Sequence, residues 1–139
     1  MTSENQAEKN GSMKSKKPRL LVLDTSTYQK LFDAILGHDY ELLATDKPGE
    51  AILIASLESP DLILLNHAAE KTDGITVARE IRETVSSIAP ILLMLTSDKP
   101  TLRREAQKAG CSAVLIKPFD PDKLKAQLDI WLNAESGKQ

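Results

Sequence analysis

This chain of 139 residues has one cysteine and no long hydrophobic run, and neither sign of charge predominates. Cys111 is the only cysteine, so neither an internal disulfide nor a cysteine metal cluster can form, and we expect this thiol to be buried and unreactive. No apolar run approaches the roughly 18 residues that span a bilayer. No hydrophobic signal segment opens the chain, which predicts a cytoplasmic protein without a membrane partner.

The net charge is only −2, so the composition indicates neither a nucleic-acid nor a membrane surface. The chain has 41% hydrophobic and 27% charged residues, which is ordinary for one globular domain with a core. We predict a disordered polar leader over residues 1–18, in which Gly11-Ser12-Met13 is either native or a remnant of cloning. A domain over 19–134 and a polar tail or truncated linker over 135–139 complete the prediction.

Apolar runs and amphipathic segments alternate throughout the predicted domain. The predicted strands cover residues 20–23, 40–45, 61–66, 91–95 and 113–116. The predicted helices follow them, starting after Thr25-Ser26, at Lys47-Pro48-Gly49, after Gly74, at Pro100 and at Pro121. Five such units with short connections imply an α/β fold in which helices cover both faces of a five-stranded parallel sheet.

The first and last helices have the clearest apolar faces. On the first helix, the residues expected to point inward are Tyr28, Leu31, Phe32, Ile35 and Leu36. On the last helix they are Leu124, Leu128, Trp131 and Leu132. The same spacing leaves Ala126 and Ile130 on the opposite side of that helix.

Polar side chains follow four of the predicted strands. They are Asp24, Asn66, Thr96 and Lys117, and the carboxyl ends of parallel strands bring them to one edge of the sheet. This edge is where open α/β sheets place their ligand chemistry, and the central strand delivers a neutral amide to it. We expect His67 to be an ordinary loop histidine.

Several motifs resemble the receiver domain of two-component response regulators. They are Leu-Val-Leu-Asp24, Asp61-Leu-Ile-Leu-Leu-Asn66, Asp73-Gly74, Leu95-Thr96-Ser97, Ala109-Gly110 and Lys117-Pro118-Phe119. The resemblance runs from about Arg19 to Ala134. It implies a doubly wound, flavodoxin-like (βα)5 sheet in the order 2-1-3-4-5, with a cis peptide bond before Pro118.

The resemblance also implies a phosphate-accepting aspartate at the position of Asn66. An amide supplies neither the anionic nucleophile nor the acyl-phosphate product. It also offers the family's conserved lysine, Lys117, only a neutral carbonyl, so we expect Lys117 to turn to Asp24 in a partly exposed pair, directly or through one water. The second metal-binding acid of the family is replaced by Thr25, so we expect weak or absent Mg²⁺ binding and no other cofactor. Glu70 stands where the family usually has proline, and Val114 stands at the position of its aromatic switch residue. We interpret Asp24, Thr25, Asn66, Thr96 and Lys117 as a degenerate phosphorylation pocket without a catalytic residue.

The resulting hypothesis is a non-enzymatic pseudo-receiver that binds a protein partner or an adjoining output domain without phosphorylation. The partner or a second copy would meet the fourth helix, fifth strand and fifth helix, on a face formed by Arg103, Lys108, Val114, Lys123, Ala126 and Ile130. Two alternatives stay open: Asn66 was introduced into an active phospho-switch, or unusual phosphoryl chemistry uses Glu70 or a hydroxyl. A nucleotide-binding enzyme is disfavoured because the sequence has no glycine-rich phosphate loop.

Overall fold

Strands and helices alternate along the chain in the computed structural model, which describes residues 16–68, 71–86 and 89–137. The strands are β1 (Arg19–Leu23), β2 (Glu41–Thr45), β3 (Leu62–Asn66), β4 (Ile91–Leu95) and β5 (Ala113–Ile116). The helices are α1 (Ser26–Leu36), α2 (Pro48–Glu58), α3 (Gly74–Thr84), α4 (Pro100–Lys108) and α5 (Pro121–Gly137). Most of the predicted leader and Glu70 lie outside the described residues.

All five strands are parallel and lie in the order β2-β1-β3-β4-β5, as predicted. Every residue of β3 is buried, because helices cover both faces of the sheet at this central position. The peptide bond between Lys117 and Pro118 is cis. No helix in the described part of the chain is long and apolar enough to cross a membrane.

The sheet separates two hydrophobic clusters that differ in chemistry. On one face, β-strand leucines and isoleucines pack against small and aliphatic side chains of α2, α3 and α4, such as Ala51, Ile81 and Ala106. On the other face, α1 and α5 cover the sheet. This second cluster contains every aromatic residue of the chain: Tyr28, Phe32, Tyr40, Phe119 and Trp131.

Two helices differ from the sequence expectation. Leu31 on α1 is 42% exposed, whereas Phe32 and Leu36 are fully buried. The predicted stripe is about 140° wide, and Leu31 lies at its margin, so the helix can bury the other side of the stripe instead. Helix α5 continues to Gly137, into the predicted polar tail, because no residue between Asn133 and Gly137 stops a helix.

Helix α2 exposes two leucines. Leu53 and Leu57 are 56% and 69% exposed, although their helix is apolar on most sides. Its buried contacts come from the small residues Ala51 and Ala55, which let the helix lie close to the sheet. The apolar composition of α2 therefore exceeds what its packing uses.

Candidate functional site

Three polar side chains meet at the carboxyl edge of the sheet, where β1, β3 and β5 end. The Nζ atom of Lys117 lies 2.7 Å from Oδ2 of Asp24 and donates a second hydrogen bond of 2.9 Å to Oδ1 of Asn66. The ion pair between Lys117 and Asp24 confirms the predicted pairing. Its burial does not fit the predicted partial exposure, because the two side chains are only 5% and 1% exposed.

Tyr28 forms a third wall around the lysine. Its ring centroid lies 3.6 Å from Nζ of Lys117, a cation–π contact. The ring also packs against Phe32 and Phe119, at centroid distances of 6.0 and 6.3 Å. The ammonium group is thus held by a carboxylate, an amide oxygen and an aromatic face.

The sequence predicts Tyr28 to be a core residue, and its contact with Lys117 was not foreseen. Helix α1 starts at the carboxyl edge of the sheet, so a residue in its first turn remains next to the strand ends. The position of Tyr28, four residues after Asp24, was therefore the available signal. An aromatic ring at that position can reach a cation delivered by β5.

Asp24 is also held by its surroundings on α1. Its Oδ1 atom accepts a 2.7 Å hydrogen bond from the backbone N–H of Thr25. The side-chain amide of Gln29 donates to the backbone carbonyl of Asp24 at 2.9 Å. Both carboxylate oxygens are consequently engaged, one by Lys117 and one by the backbone.

Two residues predicted to belong to the pocket are not brought into this cluster. Thr25 is exposed, and its hydroxyl accepts the backbone N–H of Tyr28 at 3.3 Å, so that it caps α1. Thr96 follows β4 and is exposed. Within the described residues, no hydrogen bond joins Thr96 to Asp24, Asn66 or Lys117.

The loop after β3 is tied to the start of α3. Asp73 caps that helix by accepting hydrogen bonds from the backbone and hydroxyl of Thr76, and its Oδ1 lies 3.6 Å from Nδ1 of His67. Burial raises the pKa of Asp73, but the bonds from Thr76 and the charges of His67 and Arg79 outweigh it and lower that pKa overall. His67 thus lies beside the cap of α3, and its buried Nδ1 makes no hydrogen bond within the described residues.

The helix also starts very close to the strand. A Cβ atom on Gly74 would lie 2.5 Å from the backbone oxygen of Asn66. Only a residue without a side chain allows this approach, so Gly74 fixes the distance between α3 and the end of β3.

The predicted partner face lies on α4, β5 and α5. Five of its six residues are exposed: Arg103, Lys108, Lys123, Ala126 and Ile130. Val114 is half-buried and packs towards the aliphatic cluster.

A groove of about 450 Å³ between β5 and α5 is lined by Val114, Phe119, Lys123 and Gln127, among others. The structure therefore brings Val114 and Lys123 to one groove, while Arg103 pairs with Asp98 at 2.5 Å.

A comparison with known proteins identifies the family of this fold. The family model for the response regulator receiver domain matches residues 14–129. This chain belongs to that family. The receiver is 25% identical to PilH from Pseudomonas aeruginosa over 109 residues, which cover 76% of this chain and 90% of PilH. It is also 25% identical to CheY from Bacillus subtilis over 118 residues, which cover 83% and 98%.

Other relatives are longer than this receiver. The probable transcriptional regulator ycf27 from Pyropia yezoensis is 28% identical over 120 residues, which cover 84% of this chain and 48% of ycf27. The receiver therefore spans nearly the whole of the short relatives and about half of this longer one.

Solved structures share the fold. A CheY-like receiver from Methanospirillum hungatei matches with a TM-score of 0.81 at 17% identity, covering 89% of this chain and all of that one. The receiver of the sensor histidine kinase PA1611 from Pseudomonas aeruginosa, solved with a magnesium ion coordinated in the active site cleft, matches with a TM-score of 0.75 at 24% identity, covering 84% and 98%. At these identities the likeness establishes the flavodoxin-like fold.

The donor set around Lys117 does not fit a magnesium ion. Mg²⁺ prefers anionic oxygen ligands in octahedral geometry. Here Asp24 is the one carboxylate of the cluster, and Lys117 and the Thr25 N–H already occupy its oxygens. Among the described residues, no group of three or more His, Cys, Asp or Glu side chains could hold a metal.

Proposed function

We propose that this receiver is a phosphorylation-independent protein-interaction module of two-component signalling, a pseudo-receiver located in the cytoplasm. The observation that carries the proposal is the enclosed Lys117, whose ammonium group contacts Asp24, Asn66 and the ring of Tyr28. In this arrangement the cation is already neutralised by the domain itself. We also propose that the domain has no enzymatic activity and no cofactor.

The chemistry of Asn66 supports the proposal. A phosphoryl acceptor must present an anionic oxygen to the donor, whereas the amide oxygen of Asn66 is neutral and accepts a hydrogen bond from Lys117. The hydroxyl of Thr96 is exposed and outside the cluster, and Thr25 caps a helix. Among the residues that the structure describes in this cluster, a phosphoryl group would therefore find no nucleophile, and Lys117 is already engaged by Asp24 and Asn66.

The decisive experiment is incubation with acetyl phosphate followed by intact-mass spectrometry. We expect no phosphoryl adduct on the native protein. We also expect that beryllium fluoride, an analogue of the phosphoryl group, does not bind to it. Asn66→Asp restores a carboxylate and serves as the comparison, with Asn66→Asp/Thr25→Asp restoring the acid pair as well. We expect the double variant to react more than the single one. An adduct on the native protein would refute the proposal and favour an unusual phosphoryl chemistry.

Magnesium binding provides an independent test. An ion at tenfold excess over a millimolar dissociation constant raises the free energy of unfolding by about 1.4 kcal/mol. We expect no thermal shift for the native protein at such concentrations and a small one for Asn66→Asp. A clear shift of the native protein would show that Asp24 can exchange Lys117 for a metal.

The partner side of the proposal concerns the face on α4, β5 and α5. An output domain on the same polypeptide or a separate protein fits the relatives named as transcriptional regulators, of which the chain spans about half. Ile130 is 56% exposed on α5, the helix that also contributes Lys123 to the groove containing Val114. Helical spacing puts Ile130 seven residues after Lys123 on the same side of α5, so the three residues offer a small apolar contact with a charged border.

Paired substitutions test this face. Ile130→Glu should leave folding intact, because no buried contact is lost, and should weaken capture of a partner or of a second copy through α5. Leu53→Glu on α2 is the matched control, because Leu53 has the same 56% exposure. Equal binding by both variants would move the partner site away from α5.

A further inference from the structure

The outer edge of the sheet at β2 has backbone groups without a partner in the sheet. Glu41 donates its N–H to Pro18, and the carbonyl of Thr45 accepts the N–H of Asp24, so both residues turn towards β1. In a strand, a residue's N–H and C=O point to the same side and alternate from one residue to the next. Leu42 and Ala44 therefore direct their backbone groups away from β1, into the open edge.

This edge also lacks the features that usually protect one. β2 has no proline, no lysine and no bulge, and all five of its residues pair in register with β1. Its one charged residue, Glu41, lies 3.4 Å from Arg19 on the neighbouring strand. Nothing on β2 itself opposes the addition of another strand.

A groove runs beside the edge on the face covered by α1. It has a volume of about 370 Å³ and is lined by Ser26, Gln29, Lys30, Asp33, Leu42 and Ala44. The half-buried side chain of Leu42 and the exposed, small side chain of Ala44 lie on this same face. The lining contains one positive and one negative side chain, Lys30 and Asp33, so the groove has no net charge to repel an identical surface.

We propose that β2 pairs with β2 of a second copy in antiparallel orientation, around a two-fold axis at Leu43. In this register Leu42 faces Ala44 of the other copy, and each pair exchanges two backbone hydrogen bonds. The larger side chain of one copy then covers the smaller one of the other. The same surface serves on both copies, as a two-fold interface requires, and the two sheets join into one.

The interface predicted by this pairing is small. Two five-residue strands and a shallow groove bury less area than a standard protein interface, so the dimer should form only at high protein concentration. Sedimentation velocity over a wide concentration range is the measurement. A native protein that remains monomeric throughout would overturn the proposal.

The substitution Ala44→Pro distinguishes dimerisation through this edge from dimerisation through any other surface. Ala44→Pro removes an N–H that points outward, so the ladder with β1 stays intact while two of the four intermolecular hydrogen bonds are lost. We expect dimerisation to weaken by about tenfold or more. Ala44→Ser keeps the N–H at similar size and should dimerise normally. If Ala44→Pro impairs folding, Ala44→Lys replaces it in the experiment. This variant keeps the hydrogen bonds to β1 and places a charge at the edge, so it should also weaken dimerisation.

A cross-link tests the register. Facing residues of a non-hydrogen-bonded antiparallel pair have Cα atoms about 4.5 Å apart, within the range that a disulfide bridges. In a Cys111→Ala background, Leu43→Cys should form a disulfide dimer under mild oxidation, and the exposed Leu53→Cys should not. A dimer that resists Ala44→Pro and Ala44→Lys but dissociates in Ile130→Glu would refute the proposal and assign self-association to α5.

Discussion

At the scale of single residues, the burial of Lys117 and Asp24 changes how their ion pair contributes to stability. A partly exposed pair, as expected from the sequence, is worth at most about 1 kcal/mol. With both side chains almost fully buried, each charge has lost its water and depends on the other. Removing one partner should therefore lower the free energy of unfolding by more than the intact pair contributes, because the other charge stays buried without a counter-charge.

We therefore predict that Asp24→Asn lowers the free energy of unfolding by about 3–5 kcal/mol, because Lys117 stays buried without a counter-charge. Lys117→Met should destabilise comparably by isolating Asp24. The double variant Asp24→Asn/Lys117→Met should be more stable than either single variant. Urea denaturation of the four proteins measures this coupling, and strictly additive losses would contradict it.

Cys111 gives a second prediction, for alkaline conditions. Burial raises the pKa of its thiol from 9.0 to about 11, against the opposing charge of Arg82. The folded state thus keeps a proton that the unfolded state has lost, so stability is full below pH 9 and falls as the pH rises towards 11. Cys111→Ala should remove this part of the loss, about 1–3 kcal/mol.

Denaturation at stepped pH separates the thiol from other groups. Burial and the charges of Asp129 and Asp39 raise the pKa of Tyr40 from 10.0 to about 12. The stability that Tyr40 contributes is therefore lost as the pH rises from 10 towards 12, later than that of Cys111. Tyr40→Phe should change only that later part of the curve. The same burial predicts slow alkylation of Cys111 at neutral pH in the folded state, in agreement with the unreactive thiol expected from the sequence.

Among the site residues, those carried by strand ends were predictable. Asp24, Asn66 and Lys117 each follow an apolar run, and parallel pairing brings such positions together. The position of Tyr28 in the first turn of α1 indicated that it lies near the strand ends, but its contact with Lys117 also depends on how α1 rotates over the sheet. Thr96 also follows a strand, yet it remains exposed. Sequence position therefore gives the edge of the sheet but not the direction of a side chain.

At the scale of elements, Gly74 determines how close α3 approaches β3. Alanine is ordinarily the better helix residue, yet its Cβ here would lie 2.5 Å from the Asn66 oxygen and 3.0 Å from a methyl group of Leu93. We predict that Gly74→Ala lowers the free energy of unfolding by about 1–3 kcal/mol, the usual range for overpacking.

Gly49 provides the matched control, because it also lies in the first turn of a helix and nothing is within 4 Å of an added Cβ. Gly49→Ala should raise stability by about 0.4–1 kcal/mol, since it restricts the unfolded chain without a clash. Thermal or urea denaturation compares the two variants. Equal effects would mean that the close contact at Gly74 carries no cost.

Helix ends and faces were predictable to different degrees. Capping residues and prolines located the starts of α1, α2, α4 and α5, because these signals are local. The polar tail predicted over 135–139 was wrong in part, because α5 continues to Gly137 and a polar composition indicates a tail whether or not it is helical. The inward position predicted for Leu31 was wrong because a wide apolar stripe does not specify which of its margins faces the sheet.

At the scale of the whole molecule, alternating strand and helix patterns were sufficient for the fold class, and the resemblance to receivers supplied the strand order. The division of the core could not be predicted in the same way. Strand alternation already places Leu64 and Leu65 on opposite faces, and they do lie in different clusters. Because β3 and β4 are apolar on both faces, however, the sequence does not indicate which helices cover which face.

That division makes the molecule optically one-sided. All five aromatic side chains, Trp131 included, lie with α1 and α5, so tryptophan fluorescence and near-ultraviolet circular dichroism report on that half alone. The half formed by α2, α3 and α4 is silent to both methods. We expect Gly74→Ala to leave these spectra unchanged while accelerating amide exchange in α3. A spectral change in this variant would mean that strain at α3 is transmitted through the sheet to the aromatic half.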